Sequence, residues 1–180
     1  CCALVAAAQA GDGAKPVVAF LEMFERPEAL QPALGPLSKE WEVAGGVLRT
    51  SAGAGGMPGI ILGDETCTDT DIEFRIRVRG EKEGDHHFGL FLRKSDAGGL
   101  QFYCRRDQAL LLETSGKATL RHTSLGRFRA PLDIGETAAF HTFRVLCRGT
   151  VAKVWMDGHL IGQADDLVPA SGAARFYAYN

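Results

Sequence analysis

Asp71-Ile72-Glu73-Phe74-Arg75-Ile76-Arg77-Val78-Arg79 decides the fold of this 180-residue chain. Every even position is apolar and every odd position is charged. Successive side chains of a β-strand point to opposite faces, so the run turns one face to a core. The other meets solvent or a groove, as in an antiparallel sheet covered on one side.

The same period continues away from this strand. Residues 86–94, 100–106, 109–114, 118–123, 139–148, 151–157 and 173–179 read as further strands. Between them stand Asp96-Ala97-Gly98-Gly99, Ser115-Gly116-Lys117 and Asp157-Gly158, which have the chemistry of hairpin turns. Upstream, residues 17–25 read as a strand or mixed segment, and Pro27, Pro32 and Pro36 interrupt any helix after it. Short strands, frequent turns and no strong helix predict an all-β, two-sheet antiparallel β-sandwich. No fixed-period repeat is visible, which argues against a propeller or solenoid.

Composition narrows the function classes. The 20 Lys+Arg against 22 Asp+Glu leave a net charge of −2. With no basic excess to neutralise phosphates, nucleic acid is not the expected partner. No apolar run approaches the ~20 residues of a membrane span. Gly53-Ala54-Gly55-Gly56-Met57-Pro58-Gly59 lacks the Lys-Ser/Thr ending of a phosphate loop and reads as a flexible loop.

Residues 1–10, CCALVAAAQA, are small and apolar and close on Ala8-Gln9-Ala10. That is the pattern signal peptidase reads, so they are taken as a signal-peptide remnant and 11–180 as the domain. A secreted or periplasmic location follows as the expectation. A short buried helix is one alternative, and a lipid anchor through Cys1 or Cys2 is another. Removing the first ten residues leaves Cys67, Cys104 and Cys147, enough for at most one disulfide. Cys104 and Cys147 share the parity of apolar neighbours and read as buried thiols. No Cys/His spacing suits zinc, and no cofactor is expected.

The order of motifs carries a resemblance. FLEMFER (20–26), WEVAGGVLRT (41–50), DIEFRIRV (71–78) and HHFGLFLRK (86–94) resemble the opening of the 3-keto-disaccharide hydrolase-type domain. HTFRVLCRG (141–149) and AKVWMDGHLIGQ (152–163) resemble its closing half, where a strand enters an Asn-Gly or Asp-Gly turn. That family belongs to the concanavalin A-like lectin/glucanase superfamily, which also holds laminin-G-type domains. The resemblance spans residues 18–180 and implies a concanavalin A-like jelly roll acting on or binding carbohydrate. Its motifs are structural: Trp41 and Gly46 match a strand and tight turn, and Asp157-Gly158 matches a hairpin. Two departures stand out. The chain has no Asn before Asn180, so the Asn side chains that lectin relatives use for calcium or sugar are missing. The family also usually adds a strand after the segment matching ARFYAYN (174–180), which suggests truncation before the last strand.

In this superfamily the groove crosses the concave face of one sheet, so the outward parity of the central strands supplies candidates. These are Glu73, Arg75 and Arg77, then His87 and Arg93, then Gln101, Tyr103 and Arg105. Trp155 shares parity with Lys153 and is either a stacking platform or a cover over the other sheet. Planar donors bond paired hydroxyls and aromatic rings stack on sugar C–H faces, so this set suits a carbohydrate or glycoside. The alternative is a merely solvated face, with its charges paired across strands.

Asp69-Thr70-Asp71-Ile72-Glu73 is similar to the E-x-D-x-E signature of laminarinase-type glycoside hydrolases. Retaining hydrolysis needs two carboxyls about 5–5.5 Å apart. Residues i and i+2 of a strand lie about 6.8 Å apart, so Asp71 and Glu73 approach that separation. Glu73 is then the candidate acid/base and Asp71 its partner, with His87 or Tyr103 assisting. The arginines that follow on the same face make a neutralised acidic strand end the simpler account. Adjacent His86 and His87 point to opposite faces, so no shared metal ion is expected. The expected function is that of an exported carbohydrate-active domain, with glycosidic hydrolysis as its enzymatic form. A non-catalytic carbohydrate-binding or laminin-G-like adhesion module is the alternative.

Overall fold

A computed structural model describes residues 4–9, 17–22, 41–44, 47–50, 59–62, 68–78, 87–96, 98–105, 107–115, 118–127, 139–167 and 171–179. Fourteen strands run through them. They are β1 Leu4–Gln9, β2 Val17–Glu22, β3 Trp41–Ala44, β4 Val47–Thr50, β5 Gly59–Leu62, β6 Asp69–Ile76 and β7 His87–Ser95. Then follow β8 Gly98–Cys104, β9 Gln108–Ser115, β10 Ala118–Arg127, β11 His141–Arg148, β12 Val151–Met156, β13 His159–Ala164 and β14 Ala173–Tyr179. Sheet I has the order β13-β12-β11-β6-β1-β2, sheet II the order β10-β9-β8-β7-β14-β5, and β3-β4 form a separate hairpin. Every pairing is antiparallel.

The core lies between the two sheets and is built by the alternation in β6 and its neighbours. Ile72 and Phe74 of β6 meet Phe143, Val145 and Cys147 of β11 and Ala152 and Val154 of β12 on the inner face of sheet I. Sheet II contributes Phe88, Leu90 and Leu92 of β7, Leu100, Phe102 and Cys104 of β8, and Ala109 and Leu111 of β9. Aromatic rings join the layers. Phe74 stacks on Phe143 at 5.7 Å, and Phe88 meets Phe143 edge-on at 5.3 Å, geometries that the ring quadrupoles favour.

The hairpins place the strands. Between β12 and β13, Asp157 (φ 49°) and Gly158 (φ 78°) form the two-residue turn that the sequence predicts. Left-handed angles at both central residues match the twist of the flanking strands. Strand β13 follows this turn at the edge of sheet I and completes the hairpin, although no period-two run marks residues 159–164. At the other end of sheet I, Leu4–Gln9 is hydrogen-bonded on both sides, to β2 and to β6. The segment carrying the Ala8-Gln9-Ala10 pattern therefore has a place in the sheet. The proline-interrupted stretch after residue 26, residues 53–58 of the glycine-rich run and Cys67 lie outside the described residues.

Candidate functional site

The residues expected to share one groove stand on two opposite outer faces. Asp71, Glu73 and Arg75 are on β6 and Trp155 on β12, all in sheet I. His87 is on β7, Gln101 and Tyr103 are on β8, and Arg105 follows β8, all in sheet II. Alternation says that a side chain points outward but not which of two stacked sheets it leaves. The structure therefore corrects the single groove into two faces with different chemistry.

On sheet II, Tyr177 of β14, Gly89 of β7 and Tyr103 of β8 lie in one row across the strands. A side chain at Gly89 would strike the Phe102 carbonyl oxygen at 2.0 Å and the Tyr177 hydroxyl at 2.9 Å. The bare backbone lets the Tyr177 phenol lie over it, fully buried although it faces away from the core. The Gln101 amide nitrogen donates to that hydroxyl at 2.8 Å. Burial pushes the Tyr177 hydroxyl well above the usual phenol range, the Gln101 bond opposing it, so Tyr177 stays protonated. His87 packs edge-on against Tyr103 at 5.1 Å and against Tyr177 at 6.5 Å. The Arg105 Nε–H donates to the Tyr103 hydroxyl, and its guanidinium lies 5.3 Å from the Tyr103 ring centroid.

The result is a glutamine carboxamide held in one orientation. One of its N–H groups is given to Tyr177, leaving its oxygen and second N–H as an acceptor–donor pair. Around it stand half-buried rings of His87 and Tyr103. No carboxylate occupies a described outward position of β7, β8 or β9, which present His87, Phe91, Gln101, Tyr103, Leu110 and Leu112.

Sheet I presents a different face. Arg144 of β11 holds both carboxylate oxygens of Asp71, through Nε at 2.8 Å and Nη2 at 2.5 Å. Its guanidinium also lies 5.3 Å from the Trp155 ring centroid. The Asp71 bond holds Arg144 protonated beyond its ordinary range, against partial burial. Glu73 pairs across from Arg144 in the ladder, while Arg75 and Arg77 sit over the Phe140 ring at 5.3 and 4.7 Å. Cross-strand charge pairing thus describes this face well.

Arg93 belongs to neither face. Two residues of β7, Arg93 and Lys94, stand where β8 supplies only Gly99, a bulge between the Leu92–Leu100 and Ser95–Gly98 pairs. Arg93 takes φ 53° there, and the added residue turns its side chain inward, to 1% exposure. The guanidinium crosses to sheet I. It donates through Nε to the Thr68 carbonyl at 2.5 Å and through Nη1 to the Gly149 carbonyl at 2.7 Å. Asp69 receives Nη2 at 3.4 Å and also the Gly149 N–H at 2.9 Å. Arg93 is therefore an inter-sheet tie and not a groove residue, which also explains Asp69 at the start of the acidic run. Gly172 permits it, since a side chain there would come within 2.4 Å of the Arg93 carbonyl carbon.

His141 and Asp157 form a pair at the turn from β12 to β13. His141 Nδ1 lies 2.8 Å from Asp157 Oδ2, and the Thr142 N–H donates to Asp157 Oδ1 at 2.8 Å. Partial burial raises the Asp157 pKa, but these two bonds outweigh it and hold the carboxyl below its ordinary range. Among the described residues no three His, Cys, Asp or Glu side chains gather as metal ligands. No described helix is long and apolar enough to cross a membrane.

Solved structures share this architecture. The carbohydrate-binding module CBM66 from Bacillus subtilis matches with a TM-score of 0.58 at 15% identity, covering 80% of this chain and 90% of that one. The fold is a concanavalin A-like jelly roll. A β-1,3-1,4-glucanase (lichenase) derived from a mouse hindgut metagenome matches this jelly roll with a TM-score of 0.51 at 10% identity, covering 98% and 79%. The galectin LEC-6 of Caenorhabditis elegans gives 0.50 at 15%, covering 70% and 84%. At these identities the likeness shows the fold alone. No protein-family model matches the chain, and no curated protein matches it in sequence.

Two residues of the jelly roll's faces escaped the sequence reading. Tyr177 and Arg144 both lie at outward positions of strands whose period was visible, among inward Ala174, Phe176, Phe143 and Val145. Parity alone marks them. Their partners, Gln101 and Asp71, lie 76 and 73 residues away and have no local signal.

Proposed function

We propose that this jelly roll is a glycan-binding module whose site is the outer face of sheet II, centred on Gln101. The observation that carries the reading is the Gln101 carboxamide pinned by the buried Tyr177 hydroxyl. A preoriented acceptor–donor pair meets two neighbouring sugar hydroxyls without first losing side-chain freedom. His87 and Tyr103 add aromatic surface beside it. The solved structures of like fold support the reading, because a carbohydrate-binding module and a galectin are among them.

Binding without hydrolysis is the form the site favours. A glycosidase needs two carboxyls flanking the bond, and the described outward positions of β7, β8 and β9 hold none. Asp71 and Glu73 are on the opposite face, where Arg144 occupies both Asp71 oxygens. A 3-keto-disaccharide hydrolase-like activity carried by Asp71 and Glu73 would have to release that pair. Export belongs to the proposal as well, with a lipid anchor at Cys1 or Cys2 as one form of it.

A glycan array probed with the full chain, followed by calorimetry on the bound sugars, tests the site. Gln101→Leu should weaken binding about tenfold, the worth of a hydrogen-bonding pair lost in a desolvated contact. Glu73→Gln should leave binding unchanged, and no sugar should be cleaved. Binding that survives Gln101→Leu but is lost in Glu73→Gln would move the site to sheet I and end this reading.

A further inference from the structure

The charges on the two outer faces are not mixed alike. On sheet I, acidic and basic groups alternate and satisfy one another, as Asp71 does with Arg144. On sheet II, the ionisable side chains at described outward positions, apart from tyrosine hydroxyls, are His87, Lys94, Arg105 and Arg175, all of basic type. Asp107 lies beyond them in the turn from β8 to β9. The net charge of −2 conceals this separation.

Arg105 is the residue built for contact. It is exposed, and its backbone is fixed because its N–H donates to the Gln108 carbonyl at 3.0 Å across the turn. Its side chain is fixed by Nε on the Tyr103 hydroxyl, with the guanidinium 5.3 Å from that ring's centroid. Nε is used for this anchoring, which leaves the two Nη groups as a preoriented pair of donors two residues from Tyr103 and four from Gln101. Such an edge matches a planar or tetrahedral oxyanion with two parallel hydrogen bonds, and guanidinium is weakly hydrated enough to be desolvated on contact.

From this arrangement we infer that the glycan taken by this face is acidic, its carboxylate or sulfate groups recognised by Arg105. The inference rests on the glycan-binding reading above and adds the ligand class. Tyr103 is a positioning residue, because its hydroxyl aims the guanidinium.

Polygalacturonate, alginate, hyaluronan and chondroitin sulfate, each paired with its carboxyl-reduced form (for chondroitin sulfate also desulfated), provide the test against the full chain by calorimetry. At least one acidic member should bind about tenfold more tightly than its neutralised partner, as a charge-assisted pair requires. That preference should shrink as salt rises. Arg105→Gln should lower the acidic-to-neutral ratio about tenfold, and Tyr103→Phe should lower it in part. Lys153→Gln, the same loss of charge on the sheet I face, should leave the ratio unchanged. Neutral glycans bound as well as or better than acidic ones would overturn the acidic class while leaving the glycan-binding site standing. A ratio that Lys153→Gln lowers as much as Arg105→Gln would overturn the role of Arg105. Binding of no glycan, acidic or neutral, would remove both readings together.

Discussion

Arg93 occupies a position that alternation assigns to the outer face, and its backbone sends it the other way. The bulge is encoded by no residue that stands out in Leu92-Arg93-Lys94-Ser95, because Arg adopts a left-handed φ only when its surroundings hold it there. The surroundings are Gly172, pressed against its carbonyl carbon, and three acceptors supplied from sheet I. Replacing it with Met keeps the bulk but removes the donors to two carbonyls and one of the two donors to Asp69. Arg93 is buried while Thr68 and Gly149 are exposed and Asp69 partly so, so the lost charge-assisted bonds cost about 1.5–3 kcal/mol, and Arg93→Met should lower the urea midpoint accordingly. Arg93→Lys should recover only part of this, since an ammonium lacks the fork that reaches three acceptors. A midpoint unchanged in Arg93→Met would show the tie to be dispensable.

Among the elements, strands with one wet and one dry face were the legible ones. β6, β7, β8, β11 and β12 each carry the period-two pattern over most of their length, and each turned out within a few residues of its expected span. β1 and β13 were not legible, for physical reasons. Leu4–Gln9 is a run of small apolar residues with no alternation, equally suited to a leader, a helix or a strand. His159–Ala164 is a short edge strand with only one neighbour in its sheet, so its residues need not alternate strictly. The place of β1 leads to a prediction. A chain beginning at Gly11 would lack the strand that pairs with Asp69–Glu73 of β6 and would leave a row of backbone groups there unpaired. Its thermal midpoint should fall well below that of the full chain, by differential scanning calorimetry. Equal midpoints would show that β6 does not depend on β1.

At the scale of the whole molecule, the two sheets close a core that shields both described cysteines. Cys104 belongs to sheet II and Cys147 to sheet I, and both are fully buried free thiols. Burial pushes Cys104 well above the usual thiol range and Cys147 up to about 11, with Arg93 partly opposing the shift at Cys147. Thiolate is the reactive form, so neither should react in the native state at neutral pH. In a variant with Cys1, Cys2 and Cys67 changed to Ser, alkylation of both should begin at one denaturant concentration, that of global unfolding. Labelling of either cysteine before that point would reveal a sheet that opens alone.

The period-two pattern and the glycine turns by themselves determined an antiparallel sandwich and named most of its inward residues, because burial of one strand face leaves a trace in every second position. They also named Gln101, Tyr103 and Arg105 as outward. Only the tertiary structure decided which outward residues stand together. It parted Asp71, Glu73 and Trp155 from His87, Gln101 and Tyr103, turned Arg93 into the core, and joined Gln101 to Tyr177 across 76 residues. Alternation is a property of one strand, whereas sheet membership and phase at a bulge depend on partners distant in the chain.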